Sequence, residues 1–318
     1  MKKLPLISVI IPVYNAELLL KKCIESICEQ TFSNLQIIII NDGSSDKSSE
    51  IVRKIAEHDF RIELIEQENQ GAAQAKNVGL QFVKGEYLMF VDSDDFIHNN
   101  MIERLYNLSV IYDSDLVQCS YEIGNSDSFS MRENKITIST YSNRNVFESK
   151  LYKSVVWGKL YKKEIFNKVF FTKGRHIDDE SVSYKTYYKS KKIIITNEKL
   201  YYYYQSKESL MRNNKKVNTD FVTTFQERLL YFLDKKEMRL YRITLEKFAI
   251  SLMLYYISIS RNTKNTKSDL DFVFNRFRLV YEEIKKERIG KIKFLLMLFI
   301  FRHFPNAVVF SVKLFRLR

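Results

Sequence analysis

Two acidic motifs in the first hundred residues each follow a run of apolar residues. The motif NDGSSD (41–46) follows the run 35–40, and the motif DSDD (92–95) follows the run 87–91. Carboxylate oxygens are ligands for hard divalent cations, which proteins often share with substrate phosphates. Such a cation neutralises the charge that develops on a leaving diphosphate. Each motif alone is equally typical of a polar turn that begins a helix, so the chemical interpretation requires that the two motifs meet.

A third acidic group lies far along the chain, in the motif HIDDE (176–180), where a helical pattern begins. Acidic side chains stabilise a helix N-terminus without any further role. Alternatively, one of these carboxylates is a general base, which must lie within hydrogen-bond reach of an acceptor hydroxyl. The residues alone leave both interpretations open.

Further groups could contact a ligand, and each has a structural alternative. The segment WGK (157–159) offers an indole face to a sugar, although a lone tryptophan also suits a core. The pair 76–77 (Lys-Asn) could touch a phosphate or a base, or form part of a solvated helix face. The segment 201–212 could close over a diphosphate, or form an aromatic strand followed by a turn.

The elements that would position these groups are strands and helices in alternation. Helical spacing of apolar residues predicts helices between strands, among them 72–83 and 101–112. Apolar, β-branched runs predict five strands, at 6–11, 35–40, 61–66, 87–91 and 116–120. This pattern predicts a doubly wound parallel α/β sheet. Ligands bind such a sheet at the carboxyl ends of its strands, so the acidic motifs are expected at one edge.

The composition excludes several classes of protein. The chain has 318 residues, of which 45% are hydrophobic and 28% charged, as in soluble globular proteins. It contains neither GxGxxG nor GK[ST], which counts against a dinucleotide oxidoreductase and a P-loop NTPase. Its three cysteines form no CxxC pair, so we expect neither a disulfide framework nor a zinc site. A reducing cytoplasm is the compartment that this cysteine usage favours.

Basic charge is concentrated in the last third of the chain. Residues 216–318 carry 21 Lys and Arg against 10 Asp and Glu, whereas residues 1–215 carry 30 against 28. We expect an α/β domain over 1–215 and a basic, apolar α-helical region over 216–318. The apolar run 294–301 is interrupted before the roughly 20 residues that a membrane-spanning helix needs. The mixture of basic and apolar residues favours an anionic membrane surface over nucleic acid as the partner of this region. Two alternatives stay open: the apolar run could be a helix buried in the protein, and the basic residues could form a solvated helix face.

Taken together, the motifs resemble those of the glycosyltransferase family two enzymes, which have the glycosyltransferase-A fold. The resemblance implies a doubly wound, mostly parallel sheet followed here by a helical C-terminal region. It also implies an inverting transfer of a sugar from a nucleotide sugar, most often a UDP-sugar. The resembling segments are SVIIPVYNAE (8–17), IIINDGSSD (38–46), NQGAAQAKNVGL (69–80), YLMFVDSDD (87–95), VWGKLYKKEIF (156–166), HIDDE (176–180) and YYYYQSKESLMR (201–212).

The resemblance implies roles for individual residues. Asp94 is expected to hold Mn²⁺ or Mg²⁺ at the diphosphate, and Asp179 to deprotonate the acceptor hydroxyl. Asp178, Trp157 and Lys159 are expected to face the sugar and the acceptor. The expected nucleotide-sugar-binding residues are Pro12, Val13, Tyr14, Asn15, Asp42 at the uracil edge, Lys76, Asn77, Asp92 at the ribose, Ser93 and Arg212.

Two positions depart from the family pattern. The family often has Arg-Asn where this chain has Lys76 and Asn77, and a lysine cannot make a bidentate contact. The family often has Glu-Asp where this chain has Asp178 and Asp179. The second acid is kept, so the assignment of the base holds, while the role of the first acid is less defined.

The resulting hypothesis is a cytoplasmic glycosyltransferase, peripheral on the inner face of the cell membrane. It would extend an oligosaccharide or an undecaprenyl-linked acceptor in the synthesis of a bacterial surface polysaccharide, such as capsule or cell wall. The basic, Phe-rich C-terminal region motivates the membrane contact, and no nucleic-acid partner is expected. The alternative is a non-catalytic nucleotide-sugar-binding protein of the same fold, which would bind UDP without releasing it from a donor.

Overall fold

The computed structural model describes residues 4–126, 128–129, 135–175, 178–205, 220–260 and 266–315. The chain divides into two compact units, Met1–Lys207 and Glu208–Arg318. The domain boundary expected at 215/216 falls in the segment 206–219, which lies outside the described residues, and it stays a prediction.

A mixed sheet organises the first unit. The strands within the described ranges are β1 (Ile7–Val13), β2 (Leu35–Asp42), β3 (Ile62–Gln67), β4 (Tyr87–Phe90), β5 (Phe96–Ile97), β6 (Leu116–Gly124), β7 (Ile138–Ser142), β8 (Lys159–Lys162) and β9 (Lys192–Tyr204). Their order in the sheet is β3-β2-β1-β4-β8-β6-β9-β5, with β7 paired to β9. β1 to β4 are parallel, as predicted. The predicted fifth strand is β6, and β8 lies between β4 and β6, antiparallel to both.

The register of the parallel strands brings their carboxyl ends to one edge of the sheet. β1 ends at Val13, opposite Asn41 of β2, and β2 ends at Asp42. β4 ends at Phe90, which pairs with Ile10 of β1. Strands β1 and β2 are buried along nearly their whole length, because other elements cover both faces of a parallel sheet. The motifs that follow these strands therefore share one edge.

Helices connect the strands of the first unit. They are α1 (Leu20–Cys28), α2 (Ser48–Ala56), α3 (Ala72–Gln81), α4 (Met101–Tyr112) and α5 (Asp179–Lys189), with short 3₁₀ turns at Asn145–Glu148 and Lys163–Phe166. Helix α3 packs closely on β1 because Gly79 has no side chain. A Cβ at Gly79 would lie 2.5 Å from Cγ2 of Ile10. This close packing fixes α3, which begins at the carboxyl edge of the sheet and carries Lys76.

The second unit is helical, as predicted. Its helices are α6 (Asp220–Asp234), α7 (Met238–Ile259), α8 (Lys267–Lys286), α9 (Ile292–His303) and α10 (Pro305–Phe315). A capping box formed by Thr266 and Asp269 begins α8. Aromatic side chains fill its core, and the Phe277 and Phe301 rings meet edge to face at 4.7 Å. Among the helices in the described ranges, none is both long and apolar enough to cross a bilayer.

Candidate active site

The loop after β4 contains three aspartates, and one of them, Asp95, holds the loop in place. Asp95 is buried and accepts hydrogen bonds from the Tyr201 hydroxyl (2.6 Å) and the Tyr204 amide (2.8 Å), both at the end of β9. The Tyr201 hydroxyl also accepts a hydrogen bond from the Asp92 amide, at 3.2 Å. These bonds fasten the loop to β9 and leave Asp92 half-buried and Asp94 exposed.

The supporting pair Asp95 and Tyr201 was not among the predicted site residues. The signals for it in the sequence are the third aspartate of the motif DSDD and the tyrosine run 201–204. The two residues are separated by 106 positions. Local pattern does not report which buried groups meet across such a distance, so their contact became visible only in the folded chain.

The ammonium of Lys76 joins the third acidic motif to helix α3. Its Nζ lies 3.1 Å from Oδ2 of Asp178 and 2.7 Å from Oδ1 of Asp179. Burial alone would lower the pKa of Lys76, but the carboxylates of Asp179 and Asp178 outweigh burial and raise it. Lys76 is therefore a permanent cation at this position.

Asp92 and Asp94 belong electrostatically to the same cluster. Burial raises the pKa of Asp92 to about 7; Lys76 opposes this, while Asp179, Asp94 and Asp178 add to it. Burial also raises the pKa of Asp178. The carboxyl groups of Asp179, Asp178 and Asp92 thus act on one ammonium, and Asp94 acts on Asp92. When ionised, they give the site an excess of negative charge that a bound cation would relieve.

The backbone holds the second oxygen of Asp179. Oδ2 of Asp179 accepts a hydrogen bond from the Val156 amide at 3.0 Å, while Oδ1 contacts Lys76. The Tyr161 hydroxyl in turn donates to the Val156 carbonyl at 3.0 Å. A carboxylate has about four accepting positions, so these two bonds orient Asp179 and leave accepting capacity on each oxygen.

Lys159 is fully buried behind this backbone segment. Its Nζ donates to the carbonyls of Lys153 (2.8 Å) and Val155, and it lies 5.0 Å from the centre of the Tyr187 ring. Burial lowers the pKa of Lys159 to about 7, against the opposing effect of Asp179. The ammonium thus contacts the protein's own backbone, and the expected contact with the sugar or the acceptor stays a prediction.

Trp157 packs against tyrosines at the end of β9. Its ring stacks on Tyr201 at 4.5 Å and on Tyr203 at 5.6 Å, and it meets Tyr121 edge to face at 5.0 Å. Trp157 therefore supports the residue that holds the loop of Asp92. Its expected contact with the sugar stays a prediction.

Asp42 holds the start of helix α3. Its Oδ1 accepts hydrogen bonds from the Gln67 side chain (2.6 Å) and the Gln70 amide (2.9 Å), and its Oδ2 accepts from the Gly71 amide (2.8 Å). Gly71 has a φ of +86°, directly before the first residue of α3. Lys76 lies five residues after Gly71, about 7.5 Å further along the helix at 1.5 Å per residue. Helix α3 thus links Asp42 to the ion pairs of Asp178 and Asp179.

The segment after β1 is fastened to the loop after β2. Asn15 has a φ of +48°, and its Oδ1 accepts a hydrogen bond from the Ser45 amide at 2.9 Å. Tyr14 is exposed at this turn. The other predicted residues of the segment are the half-buried Pro12 and the buried Val13.

The remaining predicted residues have other surroundings. The side-chain Nδ2 of Asn77 donates to the Phe171 carbonyl at 2.9 Å, and its Oδ1 accepts from the Phe171 amide at 2.8 Å. These two hydrogen bonds hold the segment of Phe171 against α3. Ser93 lies half-buried between Asp92 and Asp94 in the loop after β4. Arg212 lies outside the described residues. The ligand contacts expected of these residues stay predictions.

A divalent cation fits the charge and the donor set of this site. Asp94 is exposed, and within the described ranges its own backbone amide is the only hydrogen-bond donor to its carboxylate. No group of three or more His, Cys, Asp or Glu side chains in the described part of the chain could hold a metal ion. A cation at Asp94 would therefore need further ligands such as water or phosphate oxygens, which Mg²⁺ commonly takes in nucleotide sites.

The carboxyl edge of the sheet, with its loop carboxylates, is where ligands bind in an open α/β sheet. The sequence model of glycosyl transferase family 2 matches residues 8–171, about half of the chain. The chain belongs to this family, which confirms the resemblance inferred from the motifs.

Curated relatives of the chain are named as bacterial glycosyltransferases. Glycosyltransferase GlyA of Streptococcus pneumoniae serotype 4 is 37% identical over 205 residues, which is 59% of this chain and 29% of GlyA. Glycosyltransferase GlyG of the same organism is 37% identical over 203 residues, which is 59% of this chain and 67% of GlyG. The chain thus spans less than a third of GlyA and about two thirds of GlyG.

Solved structures share the fold over most of the chain. Residues 1–349 of Staphylococcus aureus TarS, in complex with UDP-GlcNAc, superpose with a TM-score of 0.71 at 21% identity, covering 87% of this chain and 80% of that one. The mannosyltransferase PcManGT of Pyrobaculum calidifontis, in complex with GDP-Man and Mn²⁺, gives a TM-score of 0.52 at 17% identity, covering 93% and 79%. These likenesses confirm the glycosyltransferase-A fold with its helical C-terminal region.

Proposed function

We propose that this protein is an inverting glycosyltransferase that moves a sugar from a nucleotide-sugar donor, most often a UDP-sugar, to an acceptor hydroxyl. One observation carries the proposal. The carboxylates of Asp92 and Asp94, at the end of β4, share one electrostatic cluster with Asp178, Asp179 and Lys76. In an open parallel sheet, this edge is where a nucleotide binds.

Asp179 is the general base in this proposal. Its two oxygens are oriented by Lys76 and by the Val156 amide, at 2.7 and 3.0 Å, and both retain accepting capacity. An acceptor hydroxyl hydrogen-bonded to either oxygen can pass its proton to the carboxylate as the new bond forms. Asp178 shares the ammonium of Lys76 and, as the N-cap of α5, accepts a hydrogen bond from the Asp179 amide at 3.0 Å.

The transfer is a single displacement at the anomeric carbon. The acceptor oxygen bonds to this carbon, the bond from the carbon to the diphosphate oxygen breaks, and the bonding electrons leave with the nucleoside diphosphate. The acceptor proton goes to Asp179, so charge and atoms balance. Attack on the face opposite the leaving group inverts the configuration.

Asp94 would hold the divalent cation, Mn²⁺ or Mg²⁺. When bound, the cation would neutralise the charge of the departing diphosphate. The exposed Asp94 carboxylate and the excess of negative charge around Lys76 support this assignment. The Mn²⁺ in the PcManGT complex accords with it on the same fold.

The nucleoside would lie over the ends of β1 and β2. The surface there includes the exposed ring of Tyr14. It also includes the turn at Asn15, which is hydrogen-bonded to Ser45 in the loop after β2. TarS, which shares the fold, was crystallised with UDP-GlcNAc and with UDP. These observations support a UDP-sugar donor, with Asp42 at the base edge.

The acceptor would be an oligosaccharide or an undecaprenyl-linked saccharide of a bacterial surface polysaccharide, at the inner face of the cell membrane. The basic charge of residues 216–318, 21 Lys and Arg against 10 Asp and Glu, supports contact with an anionic membrane. Lipid-linked acceptors are held at that surface, so the membrane would bring enzyme and acceptor together.

Release of free nucleoside diphosphate tests the proposal. Purified protein with Mn²⁺ is offered UDP-GlcNAc, UDP-Glc, UDP-Gal and GDP-Man, with and without a lipid-linked saccharide extract, and free UDP or GDP is measured. We expect release from one donor, lost on chelation and restored by Mn²⁺. NMR of the product should show the anomeric configuration opposite to that of the donor.

The matched variants are Asp179→Asn and Asp113→Asn. Asp179→Asn should lower kcat by roughly 10²–10⁴ with little change in donor Kd. Asp113→Asn makes the same chemical change at an exposed surface carboxylate and should keep full activity. Near-normal turnover in Asp179→Asn would remove Asp179 from the mechanism. UDP binding without release from any donor would instead favour the non-catalytic binding protein.

A further inference from the structure

Helix α9 exposes a stripe of large apolar side chains. Ile292 is 84% exposed, and the other members of the stripe are between 42% and 60% exposed. They are Leu296, Phe299, Ile300 and, directly after the helix, Phe304. Their spacing follows the 3.6-residue period of a helix, so they share one side of α9. We call these five residues the α9 stripe.

The opposite side of α9 is fastened to its own unit. Leu298 and Phe301 are fully buried. The Phe301 ring meets Phe277 of α8 at 4.7 Å and Tyr256 of α7 at 5.4 Å, both edge to face. Turning the helix to bury the stripe would expose this aromatic core, so packing within the unit holds the stripe outward.

Basic side chains lie beside the first residue of the stripe. Residues 289–318 contain six Lys and Arg and no Asp or Glu. Lys291 and Lys293 are exposed at the start of α9. Apolar side chains between basic ones are the pattern of a helix that binds an anionic bilayer from the side.

We propose that the α9 stripe is a docking face for an anionic lipid bilayer, with the helix axis parallel to the membrane plane. The 12 residues of α9 span about 18 Å at 1.5 Å per residue, short of the roughly 30 Å of a hydrocarbon core. Ile292, Leu296 and Phe299 enter the interface, while the lysines contact lipid phosphates. This inference rests on the membrane contact in the proposed function and assigns it to one surface.

A second copy of the chain is a poorer occupant for this face. Two such surfaces meeting would bring Lys291 and Lys293 of both copies together without an acidic partner in residues 289–318. Like charges at an interface oppose association. An anionic lipid surface offers both an apolar layer and opposite charge.

Vesicle flotation of the full-length protein tests the inference. The vesicles are phosphatidylcholine alone, or phosphatidylcholine with 30 mol% phosphatidylglycerol, at low and high salt. The test variant is Leu296→Ser with Phe299→Ser. The control variant is Leu230→Ser with Leu279→Ser, which removes apolar side chains that are 66% and 64% exposed on α6 and α8. Circular dichroism checks that each variant folds, and nucleotide release is measured on the same samples.

We expect the wild type and the control to float with anionic vesicles, less so at high salt, and the test variant to bind at least tenfold more weakly. If the test variant bound vesicles as strongly as the wild type, the α9 stripe would not be the docking face, and the membrane contact would lie on another surface. No binding by the wild type would overturn membrane contact altogether, and nucleotide release would report separately on the transferase. A dimer that the test variant abolishes, without any lipid binding, would assign the stripe to a second copy and overturn the inference.

Discussion

Replacing Lys159 by methionine should remove a pH dependence of folding stability that the wild type has above pH 7. Lys159 is fully buried, and its ammonium donates to the carbonyls of Lys153 and Val155. Burial lowers its pKa from 10.5 to about 7, although Asp179 and Glu180 oppose the shift. Methionine has a similar length and no proton to exchange, so it isolates this contribution.

The sign follows from proton binding in the two states. Between pH 7 and about 10.5, the unfolded chain keeps the proton on Lys159 and the folded chain has released it. The unfolded state then binds more protons, so stability rises with pH through this window. Each pH unit contributes about 1.4 kcal/mol. From pH 7.5 to 9, the wild type should gain about 2 kcal/mol relative to the variant.

Methionine also leaves the two carbonyls without their buried donor. An unsatisfied buried polar group costs about 1–3 kcal/mol, so the variant should be less stable above pH 7. The Val155 carbonyl belongs to the segment whose Val156 amide orients Asp179. A shift of that segment should lower kcat by roughly tenfold to a hundredfold, with donor Kd unchanged. A substrate-binding role for Lys159 would instead raise KM for the acceptor.

Urea unfolding at pH 6, 7.5 and 9, followed by circular dichroism, measures the stability difference. Burial raises the pKa values of the Cys23 and Cys119 thiols, so near pH 9 only the unfolded chain begins to release their protons; this contribution is common to both proteins. Lys173→Met, the same change at an exposed lysine, is the control. If the unfolding free energies of the wild type and Lys159→Met changed equally with pH, the lowered pKa of Lys159 would be refuted.

Two further substitutions address the supports of the site. Lys76→Met leaves Asp178 and Asp179 without their shared cation and should cost about 3–5 kcal/mol at pH 7. The loss should be smaller at pH 5, because the raised pKa of Asp178 lets that carboxyl take up a proton; an equal loss at both pH values in urea unfolding would contradict the ion pair. Asp42→Ala removes three hydrogen bonds at the start of α3 and should cost roughly 3 kcal/mol. A thermal shift within a degree of the wild type would show that this carboxylate has no structural role.

The local pattern of residues predicted much of the framework. The helix at 101–112 has the predicted bounds, because the period of the apolar side chains reports which face is buried. It did not predict that β8 enters between β4 and β6. That placement depends on pairing between strands far apart in the chain, for which a short segment carries no signal.

The same division holds for the site. The types and the order of the acidic motifs, which associate this chain with its family, are properties of the sequence itself. The tertiary structure decided which charged groups meet and which are buried. Lys76 pairs with Asp178 and Asp179, which lie 102 and 103 positions away in the chain. Asp95 accepts a hydrogen bond from Tyr201, and Lys159 is fully buried. The physical reason is that ion pairing and desolvation depend on distance and burial in space, which exist only once the sheet and its helices have packed.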